Sequence, residues 1–320
     1  MISRILITGG AGFIGRHLAS HLTDHELSVT VLDNESLGDR RHLDLDRVRF
    51  VAGDLRSPSD LRQALDGQDA VVHLAADTRV MDSIEDPTHN FDNNVVGTFN
   101  LLNACRELGV GRVVAASTGG AILGEVDPPV HEEMAPMPTS PYGASKLMLE
   151  GYLSAYASSY GLSSCALRFS NIYGPRSFHK GSVVAAFFKQ VLAGERPTVY
   201  GDGSQTRDYL YVGDLVEAIR VAMLSDVTGP YQLGSGHGTT LNELLATMRT
   251  VTGLPIEVDY VDFRDGEVRD TWCQVDKARA GFGYDPSTPL EEGLRATWEW
   301  FRSQSPEETS ASAGRGQESR

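Results

Sequence analysis

The fold is decided by residues 2–15, which read ISRILITGGAGFIG. The apolar run at 2–8 predicts a short parallel strand that is buried on both faces. A glycine-rich turn follows at once, and a helical pattern of apolar residues continues through Leu18 and Leu22. A strand, a glycine-rich turn and a helix in this order are typical of a dinucleotide-binding unit.

Three glycines in this turn have the spacing G-x-x-G-x-x-G. Gly9 permits the tight turn, Gly12 lets the backbone approach a pyrophosphate, and Gly15 lets the helix pack closely on the strand. The helix N-terminus would then face the phosphates with its unpaired N–H groups. Phe13 and Ile14, in the first helical turn, are therefore predicted to lie against the cofactor.

A second apolar run, 28–32, predicts the next strand and leads into Asp33, eighteen residues after Gly15. This is close to the distance at which an acidic residue binds the ribose of a dinucleotide. A carboxylate accepts hydrogen bonds from the ribose hydroxyls and repels a 2′-phosphate, so Asp33, with Asn34 beside it, favours NAD over NADP. The alternative is a glycine turn that only packs a helix, with an unrelated aspartate.

Strands and helices alternate through the first half of the chain. The predicted strands continue at 48–52, 70–76, 112–116 and 163–169, with helices at 93–108 and 142–160. This alternation predicts an α/β fold with a doubly wound, Rossmann-like parallel sheet, whose ligands bind at the carboxyl ends of the strands. The residues predicted at these ends are Asp33, Asp54, Leu55, Leu74, Ala75, Ala76, Ser117 and Thr118.

The chain changes character after Asn171, where glycine and proline become frequent and helices are predicted at 183–192, 214–224 and 241–251. We predict an NAD-binding domain at 1–172, to which later segments return, and a smaller α/β substrate-binding lobe that comprises most of 173–302. Residues 303–320 are rich in Ser, Glu, Gly and Thr, which predicts a disordered tail.

Composition excludes several classes of function. A net charge of −15 argues against nucleic-acid binding, and 41% hydrophobic residues suit a globular core. No apolar run is long enough for a membrane span, and we expect no signal peptide. Three widely spaced cysteines predict neither a disulfide framework nor a metal motif, so we expect no metal and a cytoplasmic location.

A Tyr-x-x-x-Lys pair supplies the candidate chemistry. Tyr142 and Lys146 lie one turn apart on a predicted helix, with Pro141 suited to its first turn and Thr139 or Ser140 to its cap. Tyrosine, with a pKa of about 10, is a poor base at neutral pH. A nearby ammonium group, and further a cationic nicotinamide, would lower that pKa and favour the phenolate. The pair predicts a proton acceptor for an alcohol that loses hydride; the alternative is a packed tyrosine and a solvated lysine.

Five motifs together resemble the extended short-chain dehydrogenase/reductase family: 8–15 (TGGAGFIG), 73–76 (HLAA), 92–95 (DNNV), 142–146 (YGASK) and 207–209 (RDY). Within it, the chain is similar to nucleotide-sugar epimerases of the UDP-galactose 4-epimerase type, over roughly residues 2–302. The resemblance implies a tightly held NAD that is not consumed, a UDP-sugar substrate and a homodimer built on helices near 94–108 and 142–160.

The resemblance also implies roles for single residues. Tyr142 would take the proton from the sugar 4-hydroxyl while hydride leaves C4, and the resulting 4-keto sugar would turn over and be reduced on its other face. Lys146 would bind the nicotinamide ribose, and Thr118 or Ser117 would hydrogen-bond the 4-oxygen. Asn93 would join the cofactor site. The implied substrate-binding residues are Thr118, Tyr142, Asn171, Val183, Arg207 and Arg264.

The chain departs from the family pattern at Gly119, at Leu123, which replaces a usual tyrosine, and at Thr271. Gly119 stands where a serine or threonine is usual, which suggests a one-residue shift to Thr118. Thr271 stands where a large aromatic residue often lines the sugar pocket, which leaves room for a bulky substituent. His179 and Lys180 could pair with a substrate carboxylate, as in a uronic acid; a solvated loop is the alternative.

Two other functions compete with epimerisation. A 4,6-dehydratase of this fold carries an Asp-Glu pair after the catalytic hydroxyl residue, whereas glycines follow Thr118 here, and only Glu125 or Asp127 could substitute. A non-catalytic NAD-binding regulator would not need Tyr142 and Lys146.

Overall fold

The computed structural model of the chain describes residues 2–263 and 269–304. The strands of this part are β1 (Arg4–Thr8), β2 (Ser28–Asp33), β3 (Val48–Ala52), β4 (Ala70–His73), β5 (Arg112–Thr118), β6 (Ser163–Phe169), β7 (Asn171–Tyr173), β8 (Thr198–Tyr200), β9 (Thr206–Arg207), β10 (Tyr209–Tyr211), β11 (Gly229–Leu233), β12 (Thr239–Thr240), β13 (Asp259–Val261) and β14 (Asp270–Thr271).

Helices connect most of these strands. They are α1 (Phe13–Asp24), α2 (Pro58–Leu65), α3 (Val80–Glu85), α4 (Pro87–Asn90), α5 (Gly97–Leu108), α6 (Pro141–Tyr160), α7 (Val183–Leu192), α8 (Val212–Leu224), α9 (Leu241–Thr252), α10 (Asp276–Phe282) and α11 (Leu290–Ser303). A 3₁₀ turn covers Arg40–His42, and a π-helix, Phe91–Val96, leads into α5.

Seven strands form one sheet in the order β3-β2-β1-β4-β5-β6-β11, and all neighbours are parallel. The predicted doubly wound α/β fold is confirmed. The sequence analysis missed β11, because Gly229 and Pro230 at its start are typical of a loop. Proline is tolerated there because β11 is an edge strand.

The sheet is buried on both faces, as the run at β1 predicted. Ile5 and Ile7 pack with apolar residues of α1 and α8, whereas Leu6 packs with those of α2, α5 and α6. All three side chains are fully buried. This two-sided burial is the reason that a parallel strand has a nearly continuous apolar sequence.

A smaller lobe is built from three short sheets (β7 with β10, β8 with β13, and β12-β9-β14) and from α7, α9 and α11. Its core contains Phe188, Trp298 and Phe301. Between β10 and β12 the chain returns to the large sheet, where α8 packs on α1 and β11 pairs with β6.

In the described ranges we find no helix whose length and apolar character would let it cross a membrane. Helix α11 extends to Ser303, and the rest of the predicted disordered tail, from residue 305 onward, lies outside the described residues.

Candidate active site

The glycine turn is shaped by its contacts with the protein. Gly9 has φ +70°, and a Cβ there would stand 2.7 Å from the Cα of Ala75, in the loop after β4. A Cβ on Gly15 would collide with the carbonyl oxygen of Gly9. A Cβ on Gly12, in contrast, would meet only that same carbonyl oxygen, at 3.3 Å. Packing therefore requires glycine at Gly9 and Gly15, while Gly12 borders space that the described residues do not fill.

Helix α1 begins at this space without a capping side chain. Gly12 is its N-cap, no side chain caps its N–H groups, and its first turn holds no acidic residue. Free N–H groups at a helix N-terminus attract anions through hydrogen bonding and the helix dipole. The turn thus fits the pyrophosphate of a dinucleotide. Leu74, Ala75 and Ala76 border it as a half-buried, small, apolar segment.

Asp33 ends β2 beside this turn. Its carboxylate accepts hydrogen bonds from the N–H groups of Ala11 (3.0 Å) and Glu35 (2.7 Å), and burial raises its pKa. At the end of β3, Asp54 accepts a hydrogen bond from the Asn34 side chain (2.9 Å). The residues predicted for the adenosine end of the cofactor thus lie together at the carboxyl edge of the sheet.

Tyr142 and Lys146 lie in the first turns of α6. Ser140 is the N-cap of this helix and accepts a hydrogen bond from the Gly143 N–H at 3.1 Å. The Lys146 ammonium donates to the carbonyl of Ala116 (3.0 Å) and lies 5.9 Å from the centre of the Tyr142 ring. Both side chains are buried.

Burial dominates the ionisation of this pair. It raises the pKa of Tyr142 to about 12, with a further contribution from the carboxylate of Asp77, and lowers the pKa of Lys146 to about 8. In the protein without a bound ligand, Lys146 therefore does not lower the pKa of Tyr142 as expected. Desolvation of the phenolate is the larger effect. A further positive charge is needed before the phenolate forms near neutral pH.

The two candidate hydroxyl groups at the end of β5 differ in their surroundings. Ser117 donates to the carboxylate of Glu150 at 2.6 Å, and Glu150 in turn accepts from Arg168 at 2.8 and 2.9 Å. Thr118 is half-buried at the strand end, and its hydroxyl has no hydrogen-bond partner among the described residues. Thr118 is thus the hydroxyl that is free to meet a ligand.

The structure explains why a glycine, Gly119, follows Thr118. A Cβ on Gly119 would lie 3.0 Å from the side-chain oxygen of Gln232 and 3.2 Å from the carbonyl of Phe169. A serine or threonine here would require the Gln232 side chain and the Phe169 carbonyl to move by a few tenths of an ångström. This crowding is consistent with the one-residue shift that the sequence suggested.

Asn93 does not point into the site, because its side chain contacts His89 at 2.7 Å. The neighbouring Asn94 is buried instead. Its side chain pairs with the backbone of Asp77 (2.8 and 2.9 Å) and donates to Ser145 (3.2 Å), which ties the loop after β4 to α6. The polar run at 92–94 indicated this site, but the π-helix alters the helical period, so spacing could not identify the inward residue.

A cavity of the smaller lobe has a volume of about 500 Å³. Three predicted substrate residues, Asn171, Val183 and Arg207, line it. One nitrogen of the Arg207 guanidinium donates to the carbonyls of Thr206 and Arg269, both at 2.8 Å, which orients the group. Arg264, predicted to act with it, lies outside the described residues.

His179 and Lys180 do not line this cavity. Their segment is held on α1, where His17 pairs with the carbonyl of Pro175 (2.9 Å) and Arg16 donates to the carbonyl of Arg176. His179 then lies 3.3 Å from Arg16, and the Lys180 ammonium is 5.8 Å from the Phe13 ring. His179 is exposed and Lys180 is half-buried. The anchoring of the segment on α1 keeps both residues out of the cavity lining, and a pairing with a substrate carboxylate stays a prediction.

Fold and site together define an extended short-chain dehydrogenase/reductase that uses NAD. The sequence profile of the NAD dependent epimerase/dehydratase family matches residues 5–234, and the chain belongs to this family.

Its relatives match nearly the whole chain. UDP-glucose 4-epimerase of Mycolicibacterium smegmatis is 36% identical over 312 residues, which cover 94% of this chain and 99% of the relative. The NAD complex of Thermus thermophilus UDP-glucose 4-epimerase has a TM-score of 0.89 at 41% identity, covering 94% of this chain and 100% of that one. Methanobrevibacter ruminantium UDP-N-acetylglucosamine 4-epimerase, in complex with UDP-N-acetylmuramic acid, has a TM-score of 0.91 at 33% identity, with coverages of 95% and 100%.

Proposed function

We propose that this enzyme inverts C4 of a UDP-sugar through a transient 4-keto sugar. The observation that carries the proposal is that the Tyr142 edge of the sheet leads directly to the cavity of the smaller lobe. Thr118, at the carboxyl edge of the sheet, pairs in register with Phe169, and two residues later Asn171 lines the cavity of the smaller lobe. A ligand can therefore reach from the Tyr142 edge into a separate pocket that holds a remote group. Binding energy from such a group supports catalysis at the reacting carbon.

Three side chains would perform the acid–base part of the reaction. Bound NAD supplies reversible hydride transfer, and in its oxidised form a positive charge that favours a neighbouring phenolate. Tyr142 then accepts the proton of the sugar 4-hydroxyl and returns it after the sugar has turned over. Lys146, held by the Ala116 carbonyl, keeps a positive charge near this edge, and Thr118 hydrogen-bonds the 4-oxygen.

The remote end of the substrate would bind in the cavity. Arg207 and Asn171 offer donors suited to a diphosphate, and Arg264 is proposed to join them. Arginine is the preferred residue for bidentate phosphate contacts, so the oriented Arg207 group is the strongest of the three.

The proposed sugars are glucose/galactose, their N-acetylated forms and glucuronate/galacturonate. Gly120 and Thr271 are both small residues. They are also neighbours, because the Thr271 hydroxyl lies 3.6 Å from where a Cβ on Gly120 would stand. Small residues leave space for a bulky substituent, which supports the inclusion of N-acetylated sugars. Relatives whose names specify UDP-glucose and UDP-N-acetylglucosamine support the same range.

Proton NMR of the purified protein, without added NAD, tests the proposal. UDP-glucose, UDP-N-acetylglucosamine and UDP-glucuronate are incubated separately with the enzyme. A new C4 epimer from one of them is expected and names the substrate. A deoxy-keto or unsaturated product would instead indicate the dehydratase, although Glu125 and Asp127, its substitute acids, are exposed. Unchanged spectra with all three sugars would contradict the proposed substrate range.

We further propose a cytoplasmic homodimer. Apolar side chains are exposed on and near α5 and α6, among them Phe91, Phe99 and Tyr152. Phe99 and Tyr152 already pack edge to face at 5.6 Å between ring centres, so they form a continuous apolar patch across the two helices. The three free, buried cysteines are compatible with a reducing compartment.

A further inference from the structure

Two histidines of α1 meet a glutamate of α8 away from the proposed active site. His21 and His25 are one turn apart, and Glu217 faces them from α8. One ligand atom from each residue lies within 4.8 Å of the other two. The His21 Nε2 is 2.8 Å from Glu217 Oε2, and the two imidazole centres are 4.5 Å apart. The sequence analysis predicted no metal; Glu217 is far from the two histidines along the chain, so no residue spacing pointed to this cluster.

The hydrogen bonds around this cluster prepare His25 as a ligand. Its Nδ1 is 2.9 Å from the backbone carbonyl of His21. A carbonyl only accepts, so Nδ1 carries the hydrogen, and Nε2 of the neutral ring keeps its lone pair. Metal-binding histidines are commonly fixed in this way, with the second ring nitrogen donating to a carbonyl or carboxylate.

Glu217 is oriented by a second residue of its own helix. Arg220 donates to both carboxylate oxygens, at 2.8 and 2.6 Å. Each oxygen has a second lone pair, so Glu217 can keep these bonds and still bind an ion. Carboxylate ligands are usually supported by such outer contacts. His21 now donates to Glu217, and binding an ion at Nε2 requires that hydrogen to move to Nδ1.

We propose that His21, His25 and Glu217 bind a divalent transition metal, with Zn²⁺ as the best-suited ion. Two imidazoles and one carboxylate match the ligand preference of Zn²⁺, and water would complete the tetrahedron. Mg²⁺ and Ca²⁺ prefer oxygen ligands alone and are not expected to bind.

The ion would join α1 to α8 rather than take part in catalysis. His21 is nine residues beyond Gly12 along α1, a helical distance of about 13 Å. The site thus crosslinks the far end of the helix whose N-terminus forms the glycine turn. An ion that binds only the folded protein stabilises it by mass action.

Calorimetric titration of the tag-free, chelator-treated full-length protein tests this proposal. Zn²⁺ is expected to bind with one equivalent per chain and to raise the melting temperature, while Mg²⁺ does neither. His25→Gln removes one ligand but leaves the His21–Glu217 pair intact. It should weaken Zn²⁺ binding by at least about tenfold, given that loss of even an outer contact costs that much.

A matched control separates this site from adventitious binding. His237 is exposed and distant in sequence from the cluster, so His237→Gln should leave the Zn²⁺ affinity unchanged. Glu217→Gln should weaken it as His25→Gln does. Equal Zn²⁺ affinity in the wild type, His25→Gln and Glu217→Gln would overturn the proposal, as would the absence of saturable binding.

Discussion

The Lys146 ammonium donates a hydrogen bond to the carbonyl of Ala116, and this contact joins helix α6 to the carboxyl end of β5. The bond fixes the ammonium 5.9 Å from the centre of the Tyr142 ring. Because both groups are buried, desolvation disfavours the phenolate form of Tyr142 and the ammonium form of Lys146. The protein thus holds an acid–base pair in position, while the ionisation of the tyrosine depends on what binds beside it.

Replacing Tyr142 with phenylalanine should abolish turnover and leave NAD binding intact. The variant keeps the ring but lacks the group that exchanges the proton, which typically contributes about 10²–10⁴-fold to the rate. Proton NMR of the identified substrate measures turnover, and absorbance of the denatured protein's supernatant measures copurified NAD. Turnover within a factor of two of the wild type would remove Tyr142 from the mechanism.

Gly12→Ala and Gly15→Ala form a pair that separates cofactor binding from folding. Gly12 borders open space, so Gly12→Ala should fold normally but bind NAD roughly tenfold or more weakly, since a methyl obstructs the pyrophosphate. A methyl at Gly15 collides with the backbone, so Gly15→Ala should lower the free energy of unfolding by about 1–3 kcal/mol. Calorimetric NAD titration and denaturant unfolding check both variants. A Gly12→Ala protein with unchanged NAD affinity would exclude Gly12 from the site.

Breaking the buried ion pair of Glu150 and Arg168 by replacing one partner should strongly destabilise the protein. Glu150→Gln leaves the buried Arg168 charge uncompensated, at a cost of about 3–5 kcal/mol in unfolding free energy. The exposed pair of Glu291 and Arg295 is the control, and Glu291→Gln should cost no more than about 0.5 kcal/mol. Chemical denaturation compares the two variants. Similar losses of unfolding free energy in the two variants would show that burial does not determine how much an ion pair contributes to stability.

His73 should make the protein sensitive to acid. It is buried between the hydroxyls of Thr8 (2.7 Å) and Thr98 (3.0 Å), and burial lowers its pKa to about 3, with Lys146 contributing. The unfolded chain takes up a proton at about pH 6.5, whereas the folded protein does not until about pH 3. Stability from this group is therefore complete above pH 6.5 and is lost as the pH falls toward 3, by up to about 1.4 kcal/mol per pH unit.

Unfolding curves of the wild type and His73→Gln at several pH values measure this effect. The variant should show a shallower loss of stability between pH 6.5 and 3, while other histidines contribute equally to both proteins. The His237→Gln variant is the matched control for replacing an exposed histidine. Parallel curves for the wild type and His73→Gln would refute the assignment to His73.

The apolar patch on α5 and α6 predicts a dimer in solution. Light scattering at micromolar concentration should give twice the mass of one chain. Phe99→Asp places a charge in the patch and should shift the mass toward the monomer, because an unpaired buried charge is costly. A wild-type monomer would contradict the proposed assembly.

The sequence by itself determined six of the seven strands of the large sheet, the glycine turn with Asp33, and the pairing of Tyr142 with Lys146. These features depend on local patterns: an apolar run, a glycine spacing and a separation of one helical turn. Strand β11 was missed, since its glycine and proline resemble a loop until β6 pairs with it. Asn93 came from the resemblance alone, and the structure buries its neighbour Asn94 instead, in a π-helix whose period a sequence motif does not reveal.

Only the tertiary structure decided which side chains meet across distant segments. It paired Ser117 with Glu150, held His179 and Lys180 on α1 instead of the cavity, and brought Glu217 to His21. It also raised the pKa of Tyr142, which spacing alone had suggested would be lowered. Sequence patterns report local geometry and two-sided burial. The solvent exclusion and long-range contacts that set the charge and orientation of a site exist only once the chain has folded.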